Sequence, residues 1–402
     1  MLNVKRSSNM VSGDQQPDTN MAFYYHWKVW HWMGIKAPMQ SNLKVYRIYA
    51  VLINFVVTFL FPLTLIVNVF FAQNTQQLCE NLTITITDTI ANLKFLNVYL
   101  VREDLERIKA ILGKLDRRAE NLKEKRILQD AIRISQLSFL IFVRLYTVGT
   151  GLSILKVILA QEHCLLYPAW FGVNWFDNTF IYVIVMIYQL FGLIVQALQN
   201  CANDSYPPAY LIILTAQMKA LEVRVRAIGH RESDEEHLWL TKEERLRNLH
   251  EFNACIKDYN NILKLFTIIE NIISKACLAQ FVCSALVQCT VGLHFLYVVD
   301  AADYSAQILS IIFFVAVTLE VFIICYFGHC MSTQSWNLTY AFYSCGWLAQ
   351  KPAFKKNLLI TLMRTQRHSI VYAGSYIPVD LPTFVQLMKY AYSTFTLLMR
   401  FK

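Results

Sequence analysis

Apolar residues gather into seven stretches, each about as long as the ~20 residues that a helix needs to cross a bilayer. They lie near residues 45–71, 78–100, 134–159, 180–198, 265–299, 306–331 and 381–399, and polar residues crowd the intervals between them. Pro62 falls inside the first stretch, where a missing N–H predicts a kink. The second stretch is interrupted by Asp88, Asn92, Lys94 and Asn97. A helix this polar is tolerated when it faces the protein interior or a water-filled vestibule. The pattern predicts an all-α, seven-transmembrane-helix membrane protein.

The basic residues set the expected orientation. No Lys or Arg occurs in Ala72–Gln77, in Gln161–Asn178 or in Asp300–Ser305. The alternate segments carry six in residues 1–47, ten in 101–133, nine in 203–264 and five in 333–380. Lys and Arg stay on the cytoplasmic side during insertion, so the N-terminus is expected inside and the C-terminus outside. The alternation works only if the weak second stretch crosses. Residues 101–133 and 234–264 also repeat Leu and Ile at helical spacing with mixed charge, which reads as helices continuing out of the membrane. With the rest of 203–264 and with 350–367 they are candidate cytoplasmic anchor helices for oligomerisation. Phe23–Trp32, dense in Trp and Tyr, reads as a helix at the cytoplasmic membrane interface.

Composition supports the membrane class. The 402 residues are 55% hydrophobic and 16% charged, against about 25% charged in soluble domains. The net charge of +9 is explained by the one-sided loops rather than by nucleic acid. The first 40 residues hold no signal-peptide core, so no cleavage is expected there. The ten Cys show no CxxC pair, and the histidines, His163, His329 and His368 among them, have no partner at zinc or triad spacing. No metal, cofactor or enzymatic activity is expected. Gly149-Thr150-Gly151 sits in an apolar helix without a following Lys, which suits close helix packing rather than a phosphate loop.

Several residues remain as candidates for recognition and processing. Thr83, Thr87 and Ile90 share one face of the second span, and Tyr146, Thr150 and Ile154 share one face of the third. Together they outline a ligand pocket among the outer halves of the second, third and fourth spans, with the sixth nearby. Arg144, Lys156 and Glu320 are further ionisable residues inside spans and need partners or water. Asn81-Leu82-Thr83 is a glycosylation candidate at an outside edge, whereas Asn203-Asp204-Ser205 and Asn337-Leu338-Thr339 fall on the cytoplasmic side and should stay bare. Cys79 and Cys164 lie in the outside loops and could form a disulfide there.

The C-terminal block is the most specific. Ala341-Phe342-Tyr343-Ser344-Cys345-Gly346-Trp347 precedes an amphipathic run from Ala353 to Met363. Arg364-Thr365-Gln366-Arg367, Tyr372-Ala373-Gly374 and Ile377-Pro378 follow, then a final span containing Thr383-Phe384 and Ala391-Tyr392-Ser393. This order resembles the insect odorant receptor family. The resemblance implies a last helix split into a cytoplasmic half and a membrane half. It also implies a ligand-gated, non-selective cation channel, a tetramer joining a ligand-tuning subunit to a shared co-receptor. The ligand would be a volatile, mostly apolar small molecule, and the setting a plasma membrane, in the dendrite or cilium of an olfactory sensory neuron. By the register of the superfamily's end motif, Leu397 would stand at the gate, with Arg400 and Phe401 near the outer mouth. The missing insertion after the fourth span and the degenerate end motif point to the tuning subunit. A gustatory receptor of the same superfamily is the nearest alternative. A G-protein-coupled receptor is a more distant one, opposed by the inside N-terminus.

Overall fold

The computed structural model describes residues 16–38, 42–159, 163–230, 241–300 and 304–399. Helices carry nearly all of it, and their lengths explain the architecture. After a short 3₁₀ turn (Thr19–Phe23), α1 spans Tyr24–Trp32. Helix α2 (Leu43–Ile53), a wider π-helical stretch (Asn54–Leu60) and α3 (Phe61–Val69) form one continuous rod. Then come α4 (Thr75–Leu100), α5 (Arg102–Asp116), α6 (Leu122–Leu159), α7 (Thr179–Ala227), α8 (Lys242–Asp300) and α9 (Tyr304–Tyr343). The last part is α10 (Pro352–Thr365), a two-residue hairpin β1 (Tyr372–Ala373) and β2 (Ile377–Pro378), and α11 (Leu381–Met399).

With 59 residues, α8 is on the order of 90 Å long, about three times the hydrocarbon thickness of a bilayer. Among the described residues, five helical runs are long and apolar enough to cross a membrane: α2–α3, α6, α7, α8 and α9. The polar α4 and the shorter α11 complete the seven. The excess length of α6, α7, α8 and α9 gathers at one end with α1, α5 and α10, where most of the Lys and Arg also lie; we call it the basic end. The split last helix is present as α10 and α11, joined through the hairpin. Pro62 does lie in the first span, but the irregularity is the π stretch just before it, whose wider turns accommodate the absent proline N–H.

The fourth span runs on into the segment after it: α7 continues without a break through Pro207 and Pro208 to Ala227. Each proline costs a helix about 3 kcal/mol in isolation, and here dense packing offsets it: Tyr206, Ala209, Leu211 and Ile213 are fully buried. The aromatic N-terminal segment docks on this stretch. Phe23 stacks on Tyr210 with ring centroids 4.1 Å apart, and Trp30 meets Tyr206 edge-on at 5.9 Å. Trp30 is wholly buried, and only outward rings such as Tyr24 and Trp32 remain exposed.

One packing expectation fails within this chain. A Cβ on Gly149 or Gly151 would meet nothing within 4 Å, so neither glycine is there for a close helix approach. Such an approach occurs instead at the basic end, where Gly346 N–H donates to Ile228 C=O at 2.8 Å. Gly229 there has φ +79, and a Cβ on it would lie 2.6 Å from the Gly346 carbonyl oxygen.

Salt bridges tie the basic end together. Arg224 on α7 reaches Glu124 on α6 at 2.7 Å and Asp258 on α8 at 2.5 Å. Arg118 reaches Asp258 at 3.1 Å and Glu251 at 2.6 Å. Burial pushes the Glu124 carboxyl up, against the opposing pull of Arg224 beside it.

His26 fastens α1. Ser205 donates its hydroxyl proton to Cys201 C=O, so the His26–Ser205 contact of 2.9 Å requires His26 Nε2 to carry the hydrogen and donate it. Nδ1 is then unprotonated, buried and without a partner. Burial lowers the His26 pKa from 6.5 to about 3. The stability this neutral imidazole contributes is complete above pH 6.5 and falls as pH drops toward 3, because the unfolded chain takes a proton that the folded one refuses. At pH 5 the expected loss is about 2 kcal/mol relative to neutral pH. Thermal midpoints of the purified receptor at the two pH values should show this loss, and a His26→Gln variant should show a smaller difference. An undiminished difference in the variant would assign it to other groups.

Candidate functional site

The polar interruptions of α4 take part in two connected polar groups in the bundle. In the inner group, Lys94 Nζ pairs with Asp204 Oδ1 at 2.7 Å, both side chains being under one-tenth exposed. Lys94 also donates to Gln280 on α8. Gln280 Nε2 donates to Glu320 Oε2 on α9 at 2.9 Å. The Tyr146 hydroxyl on α6 lies 2.6 Å from Asp204 and 2.9 Å from Glu320. It carries one proton and so donates to one carboxyl at a time. Five helices thus meet at one ammonium, two carboxyls, a phenol and an amide. The space between them is about 10 Å³, on the order of a single water.

The outer group begins one and a half turns away. Asp88 and Lys94 are about 120° apart around α4, and they do not pair. Asp88 is 6% exposed and accepts from Asn92 Nδ2 at 3.2 Å. Asn92 Oδ1 in turn accepts from Gln199 Nε2 on α7 at 2.9 Å. On the same face of α7, Gln196 donates to Val57 C=O and Asn203 to Ala91 C=O, both at 3.1 Å.

Two apolar clusters flank these groups. One joins Phe61, Leu65, Leu166, Tyr167 and Ala169, with Ile84, Ile154, Met186 and Tyr188 packed against it. Its loop residues are held by Gln189, which accepts from Leu166 N–H at 3.0 Å and donates to Tyr167 C=O at 2.9 Å. The other joins Cys283, Val287, Val291 and Val317, with Ile86 and Ile90 against it.

The residues expected to line one pocket are therefore divided. Ile154 belongs to the first cluster and Ile90 to the second. Thr83 donates to Cys79 C=O at 2.8 Å and lies 2.9 Å from the Thr290 hydroxyl, joining α4 to α8. Thr87 bonds back to Thr83 C=O. Tyr146 enters the inner polar group, and Thr150 is partly buried one turn further along α6. Asp204, Gln280, Gln196 and Gln199 were not anticipated. The unbroken hydrophobic run after Pro208 was the signal that Asp204 lies within a helix rather than a loop.

The other site expectations fare as follows. Asn81 on α4 and Asn203 on α7 are both buried within the bundle. Cys79 and Cys164 are both free thiols rather than a disulfide. Leu397 lies on an exposed face of α11, a helix seated on α8 where Phe395 fills the space over Gly292. Arg400 and Phe401 lie outside the described residues. A larger cavity of about 330 Å³, lined by Arg224, His230, Glu244, Arg247 and Glu251 among others, opens at the basic end. Its charged walls do not suit an apolar ligand.

The family model for the 7tm odorant receptor matches residues 74–392. Odorant receptor 2a of Drosophila melanogaster is 50% identical over 392 residues, covering 97% of this chain and 99% of that protein. The chain belongs to the odorant receptor family. Odorant receptor 33b of the same fly is 27% identical over 93% of this chain and 95% of its own length. Among solved structures, the insect olfactory receptor OR5 from Machilis hrabei matches with a TM-score of 0.79, covering 96% of this chain and 100% of that one. At 14% identity that likeness establishes the fold. The same receptor has also been solved in complex with eugenol. Membership places the chain among multi-pass membrane receptors and not among enzymes, and it sets aside the gustatory and G-protein-coupled alternatives.

Proposed function

We propose that this chain is the ligand-tuning subunit of an odorant-gated, non-selective cation channel, assembled with a shared co-receptor as a tetramer. The observation that carries this reading is the 50% identity to Odorant receptor 2a across essentially the whole of both chains. In this reading the N-terminus and basic end are cytoplasmic, the C-terminus is outside, and the protein resides in the plasma membrane of an olfactory neuron's dendrite or cilium. The volatile ligand binds between the outer halves of the spans, where dispersion and burial dominate recognition. The anchor helices of the basic end join the subunits. The α11 helices flank a cation path, with Leu397 at the constriction.

The test is expression with and without the co-receptor, with currents recorded against a panel of volatiles. Co-expressed cells should give volatile-evoked cation currents absent from cells with the co-receptor alone. Currents from this chain alone would overturn the obligate tuning-subunit role. Tags at the two termini check the orientation, and an externally accessible N-terminus would reverse it.

A further inference from the structure

Asp88 is a buried carboxyl with one hydrogen bond and no ion-pair partner among the described residues. A buried carboxylate is costly unless it is paired or fully hydrogen-bonded. Lys94, the nearest cation along α4, is committed to Asp204 and Gln280. The Asp88 carboxylate receives one hydrogen bond, from the neutral Asn92 amide. Tyr167 and Tyr188 lie within electrostatic reach of Asp88. Their hydroxyl protons go elsewhere, however, to Gln189 C=O at 3.2 Å and Val56 C=O at 3.3 Å.

The amides beside Asp88 cannot rotate to help it. An ionised Asp88 only accepts, so Asn92 then presents Nδ2 to Asp88 and Oδ1 to Gln199. Gln199 must then present Nε2 to Asn92, which leaves Gln199 Oε1 without a partner. Gln196 and Asn203 are held the same way by the carbonyls of Val57 and Ala91, and their oxygens, Gln196 Oε1 and Asn203 Oδ1, are also buried and unpartnered. This wall of α4 and α7 has a surplus of acceptors and a deficit of donors. Ile84, one turn before Asp88 on α4, packs against the apolar cluster of Phe61, Leu65, Leu166, Tyr167 and Ala169, as does Ile154. Part of that cluster is carried on the loop holding Leu166 and Tyr167, which Gln189 fastens to α7.

We propose that Asp88 is the head-group acceptor of the ligand site: it takes a hydrogen bond from a hydroxyl or ammonium group of a volatile whose apolar body lies against Phe61, Ile84, Ile154, Tyr167 and Tyr188. This rests on the odorant-receptor reading above and assigns the chemical class of its ligand. A donor-bearing ligand supplies the hydrogen that the protein withholds. An ether or hydrocarbon of the same shape leaves Asp88 desolvated and unpaired, which is where large discrimination originates.

The full-length receptor, co-expressed with the co-receptor, is tested with benzyl alcohol, benzyl methyl ether and benzylamine, and with the same three head groups on a hexyl chain. The wild type should respond to the alcohol or the amine at concentrations about tenfold or more below those needed for the ether. Asp88→Leu should bring that ratio close to one, with the ether response kept or improved. Asp88→Asn retains an acceptor oxygen without the charge, so it should keep the alcohol preference and lose the amine response. A wild-type ratio that survives in Asp88→Leu overturns the assignment. If that variant is silent to all six compounds, Asp88→Asn decides: an unchanged ratio of amine to alcohol response overturns it. A wild type that responds to volatiles without favouring donors sinks the Asp88 assignment alone. A wild type silent to every volatile in the presence of co-receptor sinks the odorant-receptor reading.

Discussion

Replacing Lys94 with methionine is expected to cost about 3–5 kcal/mol, the range for removing one partner of a buried ion pair. The methylene stem would be replaced well enough, but Asp204 and Glu320 would be left facing each other with no cation. Asp204 lies 2.7 Å from the ammonium, and Gln280 is held between that ammonium and Glu320. The loss should therefore spread over α4, α7, α8 and α9 rather than stay local. The expected result is a receptor with a sharply lower thermal midpoint in detergent and little protein at the cell surface. Adding Asp204→Asn should recover much of the loss, since the double variant has one uncompensated charge fewer. A Lys94→Met receptor as stable as the wild type would show that the five-helix polar group does not hold the folded bundle.

The second large effect is expected at the basic end. Arg224→Met removes a guanidinium that is 12% exposed and bonded to Glu124 and Asp258, themselves 5% and 9% exposed. Asp258 keeps Arg118 at 3.1 Å, but Glu124 loses its ion-pair partner while burial continues to push its carboxyl up. About 3 kcal/mol or more should be lost, visible as a lower midpoint. Lowering the pH should recover part of it, because protonating Glu124 removes the unpaired charge. A double cycle with Glu124→Leu should show coupling of about 1 kcal/mol or more. Additive effects would mean that the pair contributes nothing beyond its packing.

Much of this fold was legible before any coordinates. The spans near 134–159, 265–299 and 306–331 fall inside α6, α8 and α9, because apolar composition over a bilayer's length is a local property. The weak second span was read from the loops around it, and α4 is the helix that results. That the fourth span and the segment after it are one helix is not visible in local spacing, since Asn203-Asp204-Ser205 and two prolines stand at the junction. The packing of Tyr206 and Tyr210 against Trp30 and Phe23 supports α7 there. The candidate pocket residues do not share one wall: Ile154 packs in one apolar cluster and Ile90 in another. Helical spacing shows which residues share a face of one helix and says nothing about what that face meets.

By itself, then, the chain's sequence determined that it is a membrane-embedded helical protein, where its helices lie, and which family its C-terminal block resembles. Those properties follow from composition, spacing and motif over short distances. The tertiary structure decided which polar groups compensate one another. Asp88 and Lys94 are six positions apart, yet Lys94 is paired with a residue 110 positions away. Its neighbour is left with a single amide. The rotation of α4 against α7 makes that choice, since a carboxylate must be within about 3 Å of a donor to be satisfied. That distance is set between helices and cannot be read along one.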